Sequence, residues 1–383
     1  MRVLFSSTFG FGHNYPMVPL AVACAQAGHE VLWATSEQAR ALVEEAGLRT
    51  VAAGLSGEEL QERLGPLQQH VQTLPGAQRA AFMFPSMFGA TLTPPMAADL
   101  LAVAGGWRPD LLVHEHGELA SPLVGAVLGI PSVTHSFGGA VPPAFLTDAG
   151  DRVAALWEEH GLRVPPYAGC FTSLYLDICP PDVQMVPTQH IPAMQPLRPV
   201  AWTGPDLDGE QPWLRDTGRP LVYLTLGTVQ RAVPVLQRLV QGLAALPVRL
   251  LVTVGPEGDP AALGPTQEQV WVERFVPQTQ VLGQCAVVAS HAGSGTFLGA
   301  LAEGVPQLCL PQAADQFRNA AGAVRCGAGL SLAPEAADPE AVVAAVERLL
   351  AEESFAAAAR RQAEVIEDMP APVEVVGVLE RLP

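Results

Sequence analysis

The sequence of 383 residues contains no lysine, and all 21 of its basic residues are arginine. An imine-forming lysine, a pyridoxal phosphate lysine and a P-loop lysine are therefore excluded. Positive charge is also scarce, because 38 acidic residues leave a formal net charge of -17. Nucleic acid and anionic membranes are therefore disfavoured as partners. We expect acidic ligands to be held locally, by dipoles and a few Arg or His side chains.

Cysteine is sparse as well, and none of the six cysteines forms a CxxC pair. In a chain this long, that pattern argues against a disulfide framework and fits a reducing cytoplasm. Cys24, Cys285 and Cys309 lie in apolar runs, as small core residues do. No apolar run is expected to span a membrane, and the N-terminal MRVLFSS predicts a strand rather than a signal peptide.

Strands alternate with helices along both halves of the chain, and the length suggests two domains. This order predicts an α/β protein with two doubly wound, Rossmann-like domains, in which the strand ends of both parallel sheets face a shared cleft. A C-terminal helix is expected to cross back to the first domain. The predicted boundaries are 1–205 for the N-terminal domain, 206–218 for a linker, 219–367 for the C-terminal domain and 368–383 for the returning tail.

The stretch from Phe275 to Asn319 carries the densest set of motifs. Within it, the turn His291–Thr296 lies between the apolar strand AVVAS and the helix FLGALAEG. A strand that leads through a glycine-rich turn into a helix offers free N–H groups and the positive end of a helix dipole to an anion. We interpret the turn as a diphosphate site; an ordinary tight turn between strand and helix is the alternative.

A second candidate site follows the first strand, where the sequence reads Gly10-Phe11-Gly12-His13. This is not the GxGxxG of dinucleotide-binding folds, and an acidic residue after the second strand is missing. His13 lies at a helix start, where the dipole favours a neutral imidazole that can accept a proton. Glu115 ends the strand LLVHEHG at the same rim and would orient that imidazole. The alternatives are that His13 is a loop histidine without a function and that Glu115 is a solvated carboxylate at the end of a strand. Strand alternation places His114 and His116 on the opposite side, as structural residues.

Residues 55 to 105 are less regular and rich in Phe and Met. Phe82, Phe84, Met87 and Phe88 fit either core packing or an apolar acceptor pocket. In the predicted linker, Asp206 and Asp208 form a DxD pattern without a preceding apolar strand. We interpret it as solvated and predict no metal site.

Together, the motifs resemble the nucleotide-sugar-dependent glycosyltransferases of the two-domain GT-B fold, in the family 1 group of plant and bacterial small-molecule transferases. FVPQ, SHAGSGT, GVPQLCLPQAADQ, the GxGH run and RPDLLVHE fall in that family's order and spacing across the whole chain. The likeness is greatest to bacterial enzymes of antibiotic biosynthesis that glycosylate enediyne or polyketide aglycones. It implies inverting, metal-independent transfer from a nucleotide sugar to a hydrophobic aglycone, with no cofactor, by a cytoplasmic monomer or homodimer.

The resemblance also implies residue roles. His13 matches the catalytic base and Glu115 its carboxylate partner, where many members have Asp. Phe275 would stack on the nucleobase, the Val276 backbone would read its edge, and Asp315 and Gln316 would bind sugar hydroxyls. The full set of donor contacts that it implies is Gly12, Thr228, Phe275, Val276, Gln278, His291, Gly293, Ser294, Gly295, Thr296, Asp315 and Gln316.

Three positions depart from the family pattern. Bacterial members often have two histidines where this chain has Ser290-His291, and often have Gly at the position of Ala292. Users of uridine diphosphate typically place a Glu on the ribose hydroxyls at the position of Gly299. A glycine makes no such bond, so a thymidine diphosphate sugar, with its deoxyribose, is the expected donor.

Two other functions stay open at this point. One is a non-catalytic helper that activates a partner enzyme, against which the intact His13 and Asp315-Gln316 argue. The other is a nucleotide-sugar 2-epimerase of the same fold, against which the lack of lysine and the apolar 82–88 region argue. The stretch from Phe275 to Asn319 holds no catalytic base. If the protein is a transferase, His13 must act from across the cleft, and we therefore expect the two domains to close during the reaction.

Overall fold

The computed structural model describes residues 1–215, 217–226, 233–255 and 258–382. The chain divides into two compact units. Unit 1 comprises Met1–Cys179, Val186–Arg198 and Pro370–Pro383, and unit 2 comprises Pro180–Met185 and Pro199–Met369. Each unit contains one parallel sheet, which confirms the predicted pair of doubly wound α/β domains.

The sheet of unit 1 has seven strands. They are β1 (Arg2–Ser6), β2 (Glu30–Thr35), β3 (Arg49–Ala52), β4 (Leu111–Glu115), β5 (Ser132–His135), β6 (Leu174–Asp177) and β7 (Met194–Pro196). Their order is β3-β2-β1-β4-β5-β6-β7, with every neighbouring pair parallel. Every residue of β4 is buried, as expected for a parallel strand covered on both faces. The order reverses between β1 and β4, which is where doubly wound sheets bind ligands.

The helices of unit 1 connect these strands. They are α1 (Phe11–Asn14), α2 (Val18–Gln26), α3 (Arg40–Glu44), α4 (Gly57–Thr73), α5 (Gly76–Phe84), α6 (Thr93–Trp107), α7 (Ser121–Leu128) and α8 (Pro143–Glu159). A π-helix, Pro85–Leu92, joins α5 to α6. The region expected to be irregular is thus mostly helical. The wide π turns hide the 3.6-residue period by which a helix is recognised in a sequence.

One helical run, Gln78–Trp107, is long and apolar enough to cross a membrane by length and composition. The expectation that no run reaches this length was therefore wrong. A core helix of a soluble protein meets the same criterion. Phe88 and Leu100 from this run belong to two hydrophobic clusters of unit 1, so core packing accounts for its apolar character.

The sheet of unit 2 has six strands. They are β8 (Leu221–Thr225), β9 (Arg249–Thr253), β10 (Val270–Glu273), β11 (Cys285–Ser290), β12 (Gln307–Cys309) and β13 (Gly329–Ser331). Their order is β10-β9-β8-β11-β12-β13, again parallel throughout. The reversal here falls between β8 and β11, so the turn that follows β11 lies at the ligand-binding position of this sheet.

The helices of unit 2 are α9 (Val233–Ala244), α10 (Gln278–Val281), α11 (Ser294–Ala302), α12 (Gln316–Cys326), α13 (Pro339–Ala351) and α14 (Glu353–Glu367). The last helix, α15 (Pro372–Leu379), belongs to unit 1, where it packs against α2. Just beyond it, Glu380 Oε1 lies 3.1 Å from His29 Nε2. Residues 370–383 thus group with the first unit, as expected of the tail, but the helix that the sequence predicted to cross back, residues 355–369, belongs to unit 2.

The residues assigned to a linker pack on unit 2. The Leu207 N–H donates to Gln280 Oε1 at 3.0 Å, and Thr279 Oγ1 donates to Asp206 Oδ1 at 3.0 Å. Trp213 is 3% exposed and belongs to a core cluster of unit 2. Residues 199–205, which the sequence placed in the first domain, also group with unit 2. The polar, turn-rich composition of residues 206–212 had suggested a linker, so the contacts of Asp206 and Leu207 with unit 2 were not predicted.

Candidate active site

The candidate site of unit 1 is built around a histidine and a buried glutamate. His13 lies in α1, the single helical turn that follows β1, and Glu115 is the last residue of β4. Because β1 and β4 are parallel neighbours, their carboxyl ends meet at the same edge of the sheet. His13 Nδ1 lies 3.1 Å from Glu115 Oε1, with the histidine side chain 23% exposed and the glutamate side chain 0% exposed.

Glu115 is held as a carboxylate despite its burial. Its Oε1 accepts hydrogen bonds from the Thr8 hydroxyl at 2.8 Å and the Thr8 N–H at 3.3 Å, and the Gly117 N–H donates to Oε2. Burial alone would raise the pKa of Glu115, but the His13 charge and these hydrogen bonds outweigh it, so the pKa is lowered from its ordinary 4.5. An ionised Glu115 favours the His13 tautomer that carries its proton on Nδ1, which leaves Nε2 able to accept one.

Asn14 holds the loop that contains His13 through side-chain hydrogen bonds, a role that no sequence pattern indicated. Its side chain is 0% exposed. The Asn14 amide donates to the Thr8 carbonyl at 3.0 Å and to the Gly10 carbonyl at 2.8 Å, while its oxygen accepts from Ser7 Oγ at 2.7 Å. Since Thr8 also bonds to Glu115, one network fixes the loop and the carboxylate together. Gly12, predicted as a donor contact, is an exposed residue of α1 next to His13.

Two phenylalanines flank the imidazole ring. The ring centroids of Phe88 and Phe137 lie 5.3 Å and 5.0 Å from that of His13. Phe88 comes from the π-helix and was predicted, whereas Phe137 follows β5 and was missed. Its position just past the end of a neighbouring strand is a signal that could have identified it.

The remaining predicted acceptor residues are not equally placed. Phe84 is 9% exposed and packs on Phe88, with 4.9 Å between the ring centroids. Phe84 thus supports Phe88, which is the residue next to His13. Met87 is partly buried against the same cluster. Phe82 packs instead on His70 of α4, at 4.8 Å, and the structure does not bring it to His13.

The other histidines near β4 are buried. His114 Nδ1 donates to the Glu118 carbonyl at 2.6 Å, and its Nε2 lies 2.9 Å from Thr134 Oγ1, which fits the expected structural role. His116 lies just beyond the strand, where its ring packs on Phe137, Phe171 and Tyr175. Burial lowers the pKa of His116 to about 3, so the ring is neutral.

The candidate site of unit 2 begins at the end of β11. The turn leads into α11, whose first amides point toward the predicted diphosphate position. The His291 ring lies close to Gly293, where an added Cβ would come within 2.5 Å of His291 Nε2. A larger residue at position 293 would therefore displace the ring. Burial lowers the pKa of His291, although the Asp315 charge and a backbone hydrogen bond at Thr225 oppose the shift. A neutral His291 can still donate one N–H to an anion.

Two polar side chains link this turn to the start of α12. Ser294 Oγ donates to Asp315 Oδ2 at 2.6 Å, and Asn319 Nδ2 donates to the Ala292 carbonyl at 2.9 Å. The two predicted sugar-binding residues are thus held next to the turn. Gln316 Oε1 accepts from the backbone N–H groups of Gln312 and Ala313, at 2.8 and 3.0 Å, so only its amide nitrogen remains for a sugar.

The predicted nucleobase segment is connected to the same turn. Gln278 Nε2 donates to Thr296 Oγ1 at 2.7 Å. Phe275 is 40% exposed, as a stacking platform must be, whereas Val276 is 1% exposed and offers only its backbone. Gly295 is exposed in the first turn of α11. Thr228, the remaining predicted donor contact, lies outside the described residues.

Gly299 has a packing role that its sequence position does not reveal. It is buried within α11, and a Cβ placed on it would lie 2.8 Å from Leu282 Cδ1 and 3.6 Å from the Ala201 side chain. A side chain at position 299 would therefore have to displace Leu282. The departure at Ser290 also has a local explanation, because Ser290 Oγ accepts from the Ala292 N–H at 3.0 Å.

Across the described part of the chain, no group of three or more His, Cys, Asp or Glu side chains is arranged to hold a metal ion. None of the six cysteines, which all lie in the described part of the chain, forms a disulfide. Cys24 and Cys309 are buried in the core as predicted, whereas Cys285, at the start of β11, is only partly buried.

Comparison with known proteins places the chain in a family. The N-terminal and C-terminal domain models of the erythromycin biosynthesis protein CIII-like family match residues 22–227 and 237–382. The L-demethylnoviosyl transferase of Streptomyces niveus is 33% identical, over 98% of this chain and 96% of that protein. The elloramycin glycosyltransferase ElmGT of Streptomyces olivaceus is 34% identical, over 99% of this chain and 97% of that protein.

Solved structures agree with this placement. The crystal structure of glycosyltransferase VinC in complex with dTDP has a TM-score of 0.83 at 28% identity, covering 100% of this chain and 99% of that one. The spinosyn rhamnosyltransferase SpnG complexed with spinosyn aglycone has a TM-score of 0.81 at 28% identity, covering 100% of both chains. The chain therefore belongs to the erythromycin biosynthesis protein CIII-like family and is a GT-B glycosyltransferase of the antibiotic-biosynthesis type.

Proposed function

We propose that the protein transfers a deoxysugar from thymidine diphosphate to a hydroxyl of a hydrophobic natural-product aglycone, with inversion at the anomeric carbon. It does so without a metal or cofactor, in the cytoplasm, as a monomer or homodimer. The observation that carries the proposal is the 3.1 Å contact between His13 Nδ1 and the buried Glu115 carboxylate. A histidine so oriented is suited to act as a general base on an acceptor hydroxyl.

In the proposed reaction, His13 Nε2 removes the proton of the acceptor hydroxyl as its oxygen attacks the anomeric carbon. The new carbon–oxygen bond forms on the face opposite the bond to the β-phosphate, which breaks and releases thymidine diphosphate. Glu115 stabilises the imidazolium that forms, because its ionised carboxylate lies 3.1 Å from His13 Nδ1 and attracts the new positive charge. General-base catalysis of this kind contributes about 10²- to 10⁴-fold.

The leaving diphosphate acquires charge as the bond breaks. We assign its stabilisation to the free amides at the start of α11, to the dipole of that helix and to the N–H of a neutral His291. Asp315 and Gln316, which the hydrogen bonds to Ser294 and to the 312–313 backbone hold in place, would orient the sugar hydroxyls. Phe275 would cover the nucleobase.

The thymidine assignment rests on two kinds of support. VinC and SpnG were each crystallised with thymidine diphosphate. In this chain, Gly299 offers no side chain to a ribose 2′-hydroxyl, and the atoms nearest to a Cβ at that position, from Leu282 and Ala201, are apolar. For the acceptor, the support is the apolar wall of Phe88 and Phe137 beside His13, and the spinosyn aglycone bound to SpnG.

The proposal is tested with the purified full-length chain and no partner protein. A panel of thymidine and uridine diphosphate sugars of the same hexoses is offered with hydrophobic polyketide hydroxyl acceptors, and products are detected by mass spectrometry. We expect glycosylated acceptor, faster with thymidine donors, with unchanged rates in EDTA and an inverted anomeric configuration by NMR. Turnover only with an added protein would instead indicate a helper, and sugar epimerisation without acceptor would indicate an epimerase. Preference for uridine donors would overturn the donor assignment.

A further inference from the structure

Two alanines at the donor site have strained backbones. Ala292 in the turn has φ of 61°, and Ala314, directly before Asp315, has φ of 53°. An alanine in the left-handed region is strained and persists only where surrounding contacts hold it. Both strained residues border the groups proposed to bind diphosphate and sugar.

Asn319 supplies a contact that holds Ala292. It lies in the first turn of α12 and is 5% exposed. Its Nδ2 lies 2.9 Å from the Ala292 carbonyl, 3.0 Å from Ser294 Oγ and 3.3 Å from Asp315 Oδ2. An amide has two N–H donors, so one is committed to the strained carbonyl and the other is shared by Ser294 and Asp315.

The shared donor closes a triangle, since Ser294 Oγ itself donates to Asp315 Oδ2 at 2.6 Å. Asp315 Oδ2 is thereby held by two donors, while Oδ1 takes part in none of the hydrogen bonds described for this part of the chain. Ser294 is also the first residue of α11. The triangle therefore ties the helix end proposed for the diphosphate to the carboxylate proposed for the sugar.

We propose that Asn319 is a positioning residue that sets the diphosphate-binding turn and Asp315 in one geometry, so that donor affinity and sugar orientation depend on the same side chain. This inference rests on the proposed donor site. Asn319 does not itself contact the donor. Its loss is expected to release the Ala292 carbonyl and one of the two donors to Asp315 at once, and thus to weaken both subsites.

The test compares equilibrium binding of thymidine diphosphate and of thymidine diphosphate glucose by calorimetry, for the wild type, Asp315→Ala and Asn319→Ala. Asp315→Ala is expected to change only the ratio of the two Kd values. Asn319→Ala is expected to change that ratio and also to weaken thymidine diphosphate about tenfold, the change in Kd that loss of one hydrogen bond of ordinary strength gives. Ser294→Ala, which keeps the bond from Asn319 to Ala292, should give a smaller loss of thymidine diphosphate.

Near-wild-type Kd values for a folded Asn319→Ala, or a pattern matching Asp315→Ala, would overturn the inference. If Asn319→Ala does not fold, Asn319→Asp replaces it, because this isostere also lacks the donor to Ala292. Wild-type protein that binds only uridine diphosphate would refute the thymidine assignment, and the same comparison would be made with that nucleotide. Binding of neither nucleotide would refute both proposals.

Discussion

Glu115 Oε1 lies 3.1 Å from His13 Nδ1, with Glu115 at the end of β4 and His13 in the helical turn that follows the adjacent parallel strand β1. The carboxylate is buried and also accepts hydrogen bonds from Thr8 and Gly117, whereas the imidazole keeps some exposure. One nitrogen of His13 is thus committed to Glu115, and the other is the candidate base.

Replacing His13 with alanine is expected to lower kcat by about 10²- to 10⁴-fold, because the acceptor hydroxyl loses its base. The measurement is steady-state turnover with the donor and acceptor identified in the screen. His160→Ala is the matched control, since His160 is an exposed histidine at the end of α8 and should retain full activity. Turnover of His13→Ala close to that of the control would refute the assignment.

Glu115 should make folding stability depend on pH. Its pKa is lowered in the fold from the ordinary 4.5, because the His13 charge and hydrogen bonds outweigh burial. The stabilisation is therefore fully present above the unfolded pKa and is lost as pH falls through the folded pKa. We expect the difference in unfolding free energy between wild type and Glu115→Gln to be largest near neutrality and to shrink below about pH 4.5. Denaturant titrations from pH 7 downward measure it, and a difference that stays constant would contradict the prediction.

His116 should lower the free energy of unfolding at acidic pH. Burial lowers its pKa to about 3, so between the ordinary histidine pKa of 6.5 and that value the unfolded chain binds a proton that the folded chain does not. Stability therefore falls on acidification through this window, by about 1.4 kcal/mol per pH unit for one such group. His116→Gln should flatten this dependence, as measured by denaturant unfolding at several pH values. His160→Gln, at an exposed site, should leave the slope unchanged.

Gly299→Ala should be destabilising because its Cβ would lie 2.8 Å from Leu282 Cδ1. Overpacking of this kind costs about 1–3 kcal/mol, measurable as a lowered free energy of unfolding. Gly295→Ala provides the control in the same helix, because a Cβ at that position meets nothing within 4 Å. In a double-mutant cycle, Gly299→Ala should cost less in a Leu282→Ala background than in the wild type, although Leu282→Ala is itself destabilising. If both glycine variants are equally stable, Leu282 does not restrict position 299.

The sheets and the His13–Glu115 pair were predictable because each depends on local patterns. Apolar strands alternate with helices, and residues at the carboxyl ends of parallel strands come together whichever strands are neighbours. Asn14 and Asn319 were not predictable, since each acts through backbone carbonyls whose positions exist only in the folded chain. Phe82 and Phe88 look alike in sequence. Phe88 lies in the π-helix and contacts His13, whereas Phe82 lies in α5 and packs on His70. The sequence does not show where the π-helix begins, so it could not separate the two.

The placement of α15 in unit 1 bears on how the protein is made and recombined. Unit 1 takes its last segment, Pro370–Pro383, from the far end of the chain. During synthesis, α2 lacks its contact with this helix until residues 370–383 have been made, so the first unit cannot be completed before the second has been synthesised. A chimera that exchanges the first unit between relatives must therefore carry residues 370–383 along with it, or it will leave α2 facing a foreign helix.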